Sequence, residues 1–219
     1  MKREMKGFCI QRGFTGREVN AVVSSAAALG VEVVWDKVPR EGWVSLGTVE
    51  WCWMSFGEHR IDFFPGFLSG WMCRSWHRTT RRIDAHCPLF VKSAKGWKTN
   101  FVSRVVEPSE MVPLGDYWVS EVVEFVQEWR YYVANGRVVT TGWYQGEDED
   151  EPAPELGIEW PEGFSGAVDF GRLDDGRIAL VECHAPFACG WYGENHRDYA
   201  EWLLEGWKNR EWWLSLDKG

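Results

Sequence analysis

The sequence predicts a mixed fold, a short α/β unit followed by an antiparallel α+β part. Three observations predict it. A helix-period stretch near the N-terminus is followed by an apolar extended run. Beyond Pro88 the apolar segments are short, β-prone and separated by turn residues. Two of those turns, Asn135-Gly136 and Asp175-Gly176, carry the type I′ signature, because both central residues of that turn need positive φ.

Taken in order, Thr15 and Glu18 read as a capping box, Thr-x-x-Glu, at a helix start. Val19, Val22, Val23, Ala26 and Ala27 recur at helical spacing, and Gly30 is a natural stop. Val31 to Trp35 reads as a strand. Residues 43–54 read as further extended structure, and Phe64 to Arg82 as helical after Pro65. Leu89 to Ser93, Phe101 to Val106 and Tyr117 to Val123 read as strands. Trp129 to Ala134 and Arg137 to Gln145 form a hairpin over Asn135-Gly136. A second hairpin turns at Asp175-Gly176. From Asn195 to Leu216 the chain reads as helix, with Tyr199, Trp202, Leu203 and Trp207 on one face. The boundary falls near residue 85, giving an N-terminal α/β domain over 1–85 and a second domain over 86–219 that ends in the helix.

Length and composition narrow the classes. With 219 residues, 26% charged and 45% hydrophobic, the chain has ample length for a core and an ordinary globular composition. No run approaches the roughly 18 apolar residues of a membrane span, and no apolar signal core follows the basic start. The six cysteines are not spaced as a disulfide framework, which points to reduced thiols and a cytoplasmic protein. Net charge is −9, and the run Glu147 to Glu151 supplies five of the negative charges, leaving −4 for the rest. That argues against nucleic-acid binding, which needs a basic footprint. The run itself reads as a solvated loop beside Pro152 and Pro154. Sixteen tryptophans spread along the whole chain point to core packing rather than to one stacking stripe.

Chemistry concentrates in Asp169 to His184. If Asp175 and Gly176 are the loop, Asp174 pairs with Arg177, and Asp169 faces Glu182. Facing residues on one sheet surface have Cβ atoms about 4.5–5.5 Å apart, so two carboxylates there repel unless a cation separates them or one is protonated. His184 follows two residues on, on the same face. Asp169, Glu182 and His184 therefore suit a magnesium site, and magnesium in enzymes usually accompanies phosphate. The plainer alternative is a surface ladder screened by solvent or by Arg172 and Arg177. Upstream, Lys92, Lys95 and Lys98 lie in and after a strand, in a short basic loop suited to nucleotide phosphates. Glu121 to Glu128 is an extended run ending in a carboxylate fit for a ribose hydroxyl. Arg130 is a strand guanidinium able to bind a phosphate or carboxylate in two-pronged fashion.

In order and spacing these elements resemble the ATP-grasp superfamily, in particular the compact stand-alone proteins of phages and bacteria. The resemblance covers about residues 88–193. It implies that Phe90-Val91-Lys92 is the strand whose lysine contacts the α and β phosphates, with Lys95 and Lys98 in the loop that follows. It implies that Glu121, Val122 and Val123 border adenine and that Glu128, seven positions after Glu121, holds the ribose. Arg130 corresponds to the arginine facing the transferred phosphate. Asp169 and Glu182, thirteen apart, correspond to the magnesium-binding pair. His184 stands where the family has asparagine; its imidazole is a softer ligand better suited to manganese or zinc, so that His184 either binds the metal weakly or instead orients substrate.

The implied activity is an ATP-dependent carboxylate–amine or thiol ligase working through an acyl phosphate, with Lys92 and Arg130 as the catalytic cations. The implied partners are a small-molecule or peptide acid and amine. Arg74, Arg78, Arg81 and Arg82 are candidates to hold an anionic substrate, or form a solvated helix face, and Pro186 to Tyr192 is a candidate substrate wall. Three rivals stand beside this: a superfamily kinase phosphorylating a hydroxyl, a non-catalytic tryptophan-rich binding module, and a zinc site of Cys183, His184, Cys189 and His196.

Overall fold

The computed structural model describes residues 4–57, 62–94 and 101–216. Lys95 and Lys98 lie outside the described residues.

The chain opens with β1 (Gly7–Gln11), α1 (Arg17–Ala26), β2 (Glu32–Asp36) and β3 (Val44–Leu46). The three strands form a parallel sheet in the order β2-β1-β3. The central strand is covered on both faces, which explains its near-continuous apolar run, Phe8-Cys9-Ile10. The capping box does not form. Gly16 rather than Thr15 holds the N-cap, with no side-chain cap. This moves the helix start along by one residue, and Glu18 instead accepts a hydrogen bond from Trp191 N at 2.9 Å.

Two further expectations are corrected. Residues 43–54 are extended only over β3; α2 (Val49–Phe56) follows, its N-cap Thr48 accepting from Trp51 N. Trp51, Cys52 and Phe56 are buried, so tertiary packing outweighs the strand preference of Val49, Trp51 and Trp53. The stretch from Phe64 to Arg82 is not one helix. A 3-10 helix (Gly66–Trp71) ends at Met72, Cys73 adopts a φ of 50°, and β4 (Trp76–Thr79) follows. Gly66 and Gly70 weaken helix in this stretch.

The remainder is antiparallel: β5 (Ile83–Asp84), β6 (Leu89–Ser93), β7 (Arg104–Val106), β8 (Met111–Val112), β9 (Tyr117–Glu121), β10 (Phe125–Ala134), β11 (Arg137–Gly146), β12 (Gly166–Leu173) and β13 (Ile178–His184). Two four-stranded sheets result, β4-β9-β6-β7 and β11-β10-β12-β13. Between β10 and β11, Asn135 and Gly136 have φ of 49° and 75°, the pair of positive values a type I′ turn needs. The chain closes with α3 (His196–Lys208), capped by Asn195, and α4 (Glu211–Ser215). The α+β architecture expected from the sequence is present. Among the described residues no helix is long and apolar enough to cross a membrane.

The largest apolar cluster runs from Met5 to Trp213 and joins the parallel sheet to the β10–β13 sheet and α3. Tryptophans build much of it: Trp129, Trp191, Trp202, Trp207 and Trp213 are almost fully buried. Of the described tryptophans only Trp35 is well exposed, which leaves little for a sugar- or base-stacking surface.

Candidate active site

The β10–β13 sheet sets the site by register. Along β10, Glu128, Arg130 and Tyr132 alternate onto one face, opposite Gly171, Asp169 and Ala167 of β12. Across β12, Asp169 pairs with Glu182 and Ala167 with His184. One row therefore carries Arg130, Asp169 and Glu182 on three adjacent strands, and the next row carries Tyr132 and His184.

The facing of Asp169 and Glu182 arises by a different route from the one the sequence suggested. The turn has three loop residues, not two: Leu173 pairs with Arg177, and Gly176, at φ 86°, donates to Leu173 O at 2.9 Å. That shifts the ladder by one. A bulge then shifts it back, because Phe170 pairs with Leu180 while Asp169 pairs with Glu182, leaving Val181 as the extra residue. Arg74 serves the bulge: its Nη1 donates to Leu180 O at 2.7 Å and its Nη2 to Val181 O at 3.4 Å. Burial lowers the Arg74 pKa to about 10.

The cations that separate the two carboxylates are not Arg172 and Arg177, which pair with Glu151 and Asp175. Arg130 grips Asp169 through Nε to Oδ1 and Nη2 to Oδ2, both at 2.7 Å. Both residues are buried. Burial alone would lower the Arg130 pKa, but the charge and hydrogen bonds of Asp169 hold it well above the ordinary arginine value. The guanidinium also lies beside the edge-to-face pair of Tyr144 and Tyr192, 5.0 and 5.2 Å from their ring centroids. Lys92 reaches over from β6 to form an ion pair with Glu182 Oε2, its ammonium 3.7 Å from the Phe63 ring centroid. Glu182 Oε1 faces His184 Nε2 at 2.6 Å.

Two cavities meet at Glu182. The first, ≈ 240 Å³, is lined by Phe64, Arg74, Phe90, Lys92, Val105, Ser120, Glu121, Val122, Val123, Phe125, Glu128, Val181 and Glu182. Every described residue expected to bind nucleotide, Lys92, Glu121, Val122, Val123 and Glu128, is on this wall. The lining combines apolar side chains with the charged Arg74, Lys92, Glu121, Glu128 and Glu182. Glu121 is also tied down, accepting from Ser75 N at 2.9 Å. The second cavity, ≈ 210 Å³, is lined by Val49, Arg130, Tyr144, Glu182, His184, Phe187, Ala188, Cys189, Gly190 and Tyr192. The segment from Pro186 to Tyr192 is thus one of its walls. Tyr132 fixes that wall, its hydroxyl donating to Gly190 O at 2.6 Å and accepting from Tyr192 N at 3.0 Å. Gly142 lets the wall cross β11, since a Cβ there would lie 2.4 Å from the Tyr192 carbonyl carbon.

Val49, Tyr144, Tyr132 and Glu18 were not singled out from sequence for the site, Glu18 being read only as part of the capping box. The alternation Glu128, Arg130, Tyr132 was a usable signal for the third of these. The four arginines do not converge: Arg78 is bound to Asp116 and Arg82 to Asp84. The zinc quartet does not assemble either, with His196 on Ser24 and the Cys189 thiol donating to the carbonyls of Ala185 and Phe187. Among the described residues, the group of three or more potential ligands that converges is Asp169, Glu182 and His184, their ligand atoms within 4.8 Å of one another.

Burial, reinforced by the charge of Asp169 and opposed by Arg130, pushes the Glu128 carboxyl up to about 7. Unfolded glutamate titrates near about 4.3. Between these values the folded protein keeps a proton that the unfolded chain has lost, so stability falls as pH rises through this window. Glu128→Gln removes that fall. The variant should match the wild type near pH 4 and exceed it by up to about 3 kcal/mol above pH 8, as read by denaturant melts at both pH values.

No curated protein matches this chain in sequence. Among solved structures, N5-carboxyaminoimidazole synthetase from Staphylococcus aureus superposes with a TM-score of 0.54 at 10% identity, covering 94% of this chain and 78% of that one. A RimK domain protein ATP-grasp from Sphaerobacter thermophilus DSM 20745 gives 0.48 at 14% identity, over 94% and 99% of the two chains. D-alanine–D-alanine ligase from Bacillus anthracis, complexed with ATP, gives 0.46 at 11% identity, over 97% and 99%. The first of these likenesses supports the fold. The family model of the ATP-grasp domain, R2K clade family 2, matches residues 72–202, more than half of the chain, and the chain belongs to that family.

Proposed function

We propose that this protein is an ATP-dependent ligase that joins a carboxylate to an amine, or to a thiol, through an acyl phosphate. The observation that carries the reading is the meeting of the two cavities at Glu182: expected nucleotide contacts line one, and Arg130 with an aromatic wall lines the other.

In this reading a substrate carboxylate oxygen attacks the γ-phosphorus, and the bond to ADP breaks. The amine nitrogen then attacks the carbonyl carbon of the acyl phosphate, inorganic phosphate leaves, and the amine gives up a proton. The chain supplies position and fixed charge rather than a nucleophile. Lys92, on the wall of the first cavity and paired with Glu182, neutralises phosphate oxygens. Two of the five guanidinium N–H donors of Arg130 go to Asp169, which fixes the plane of the group beside the second cavity. The paired rings of Tyr144 and Tyr192 beside Arg130 shield part of the guanidinium from water. Glu128 accepts from ribose hydroxyls in its ionised form.

Asp169, Glu182 and His184 fit a divalent cation, since their ligand atoms converge and the two carboxylates are hard oxygen donors suited to magnesium. The imidazole makes manganese an acceptable alternative. Bound there, the metal would neutralise charge on the nucleotide phosphates. Action in the cytoplasm, on small-molecule or peptide substrates, belongs to the same proposal.

A screen of acids and amines for substrate-dependent ADP release tests the reading. Release that requires an acid and an amine or thiol together supports a ligase, whereas release driven by an alcohol alone would point to a kinase. Lys92→Ala should weaken ADP binding by about tenfold or more, measured by calorimetry. Unchanged affinity would remove Lys92 from the phosphate site.

A further inference from the structure

The atoms that would ligate a cation are already engaged by the chain itself. Both carboxylate oxygens of Asp169 accept from Arg130, Glu182 Oε1 faces His184, and Glu182 Oε2 is taken by the Lys92 ammonium. The two positive partners differ in how they are held. Arg130 is fixed by two parallel hydrogen bonds and packs beside two tyrosine rings. Lys92 is a point charge on a flexible four-carbon stem, with its ammonium over the Phe63 ring and its side chain on the wall of the nucleotide cavity.

We propose that Lys92 is a built-in occupant of the cation site: without nucleotide its ammonium holds Glu182 and opposes a divalent metal, and phosphate draws it away, so that metal and nucleotide bind as a pair. This rests on Asp169, Glu182 and His184 being the metal ligands. The physical basis is short-range. A divalent ion at Glu182 would sit against an ammonium in a buried, weakly screened site, where like charges repel strongly. Phosphate oxygens in the adjoining cavity offer Lys92 an equivalent anionic partner. Each ligand then raises the affinity for the other by the same factor.

The test is manganese binding to the nucleotide-free protein, followed by the electron spin resonance of free Mn2+. Wild type should bind weakly. Lys92→Met should bind Mn2+ about tenfold more tightly or better, while its ADP affinity falls. Opposite movement of the two affinities is the signature, because a merely structural lysine would lower both. Should Lys92→Met not fold, Lys92→Gln carries the same measurement, keeping length and polarity without the charge. Nucleotide-free Mn2+ binding no tighter in the neutral variant than in wild type overturns the proposal. Adding Glu182→Gln to Lys92→Met separates the two readings. If the double variant keeps the tight Mn2+ site, the ligand assignment itself is wrong. If Mn2+ binding depends on Glu182 but is indifferent to Lys92, only the competition is wrong.

Discussion

Asp169→Asn is expected to lower stability by about 3–5 kcal/mol, the usual effect of removing one partner from a buried ion pair. Asp169 is 1% exposed and Arg130 5%. The asparagine leaves the guanidinium with no charge opposite it and offers only one oxygen where two accepted. For a chain of this size that loss corresponds to a melting temperature lower by roughly 6–20 °C. The charge pairing itself is replaceable: Arg130→Met combined with Asp169→Leu should regain most of the stability, since an apolar pair of similar volume avoids desolvating two charges. Calorimetric melts of the single and double variants check this. A single variant as stable as wild type would mean that Arg130 finds another anion.

Glu182→Gln should reduce substrate-dependent ADP release by at least about 100-fold, because even outer partners of metal ligands typically contribute 10–100-fold. Its fold should survive better than that of Asp169→Asn. Glu182 sits between two cavities with its side chain 16% exposed, and the amide keeps the shape and a contact to His184. A folded Glu182→Gln protein with full turnover would take Glu182 out of the metal site. The two substitutions are thus expected to be read out differently along one row of the sheet: Asp169→Asn first in stability, Glu182→Gln first in turnover.

The sequence was legible where the local signal and the packing agreed. The Asn135-Gly136 turn, strand β6 and the starts of β9 and α3 lie where turn chemistry and periodicity put them, whereas the single helix expected to Leu216 breaks at Asn209 and Arg210 into α3 and α4. The register of Asp169 against Glu182 was right through two cancelling departures. The loop after Leu173 has one residue more than the turn signature implied, and the bulge at Val181 restores the count. A bulge leaves no mark in a run such as Ile-Ala-Leu-Val-Glu, and the carbonyls it turns aside find Arg74 from more than a hundred positions upstream. Helix α2 was hidden for a related reason. Val49, Trp51 and Trp53 favour strands locally, and only the buried Cys52 and Phe56, one turn apart, mark the helical face. Lys92 was singled out for phosphate, but its hold on Glu182 joins two sheets and could not be read from either strand alone.

The matched family span begins at residue 72, and two contributors to the second cavity lie before it. Val49 is part of its wall, and Glu18 anchors Trp191 beside Tyr192. The first cavity, apart from Phe64, is built from residues inside that span. Both cavities are therefore built mainly inside that span, and the second also draws on the N-terminal α/β unit through Val49 and Glu18. In the proposed ligase reading, a substitution at Val49 changes the room in the second cavity and leaves the lining of the first as it is, so the two pockets can be altered separately at that point.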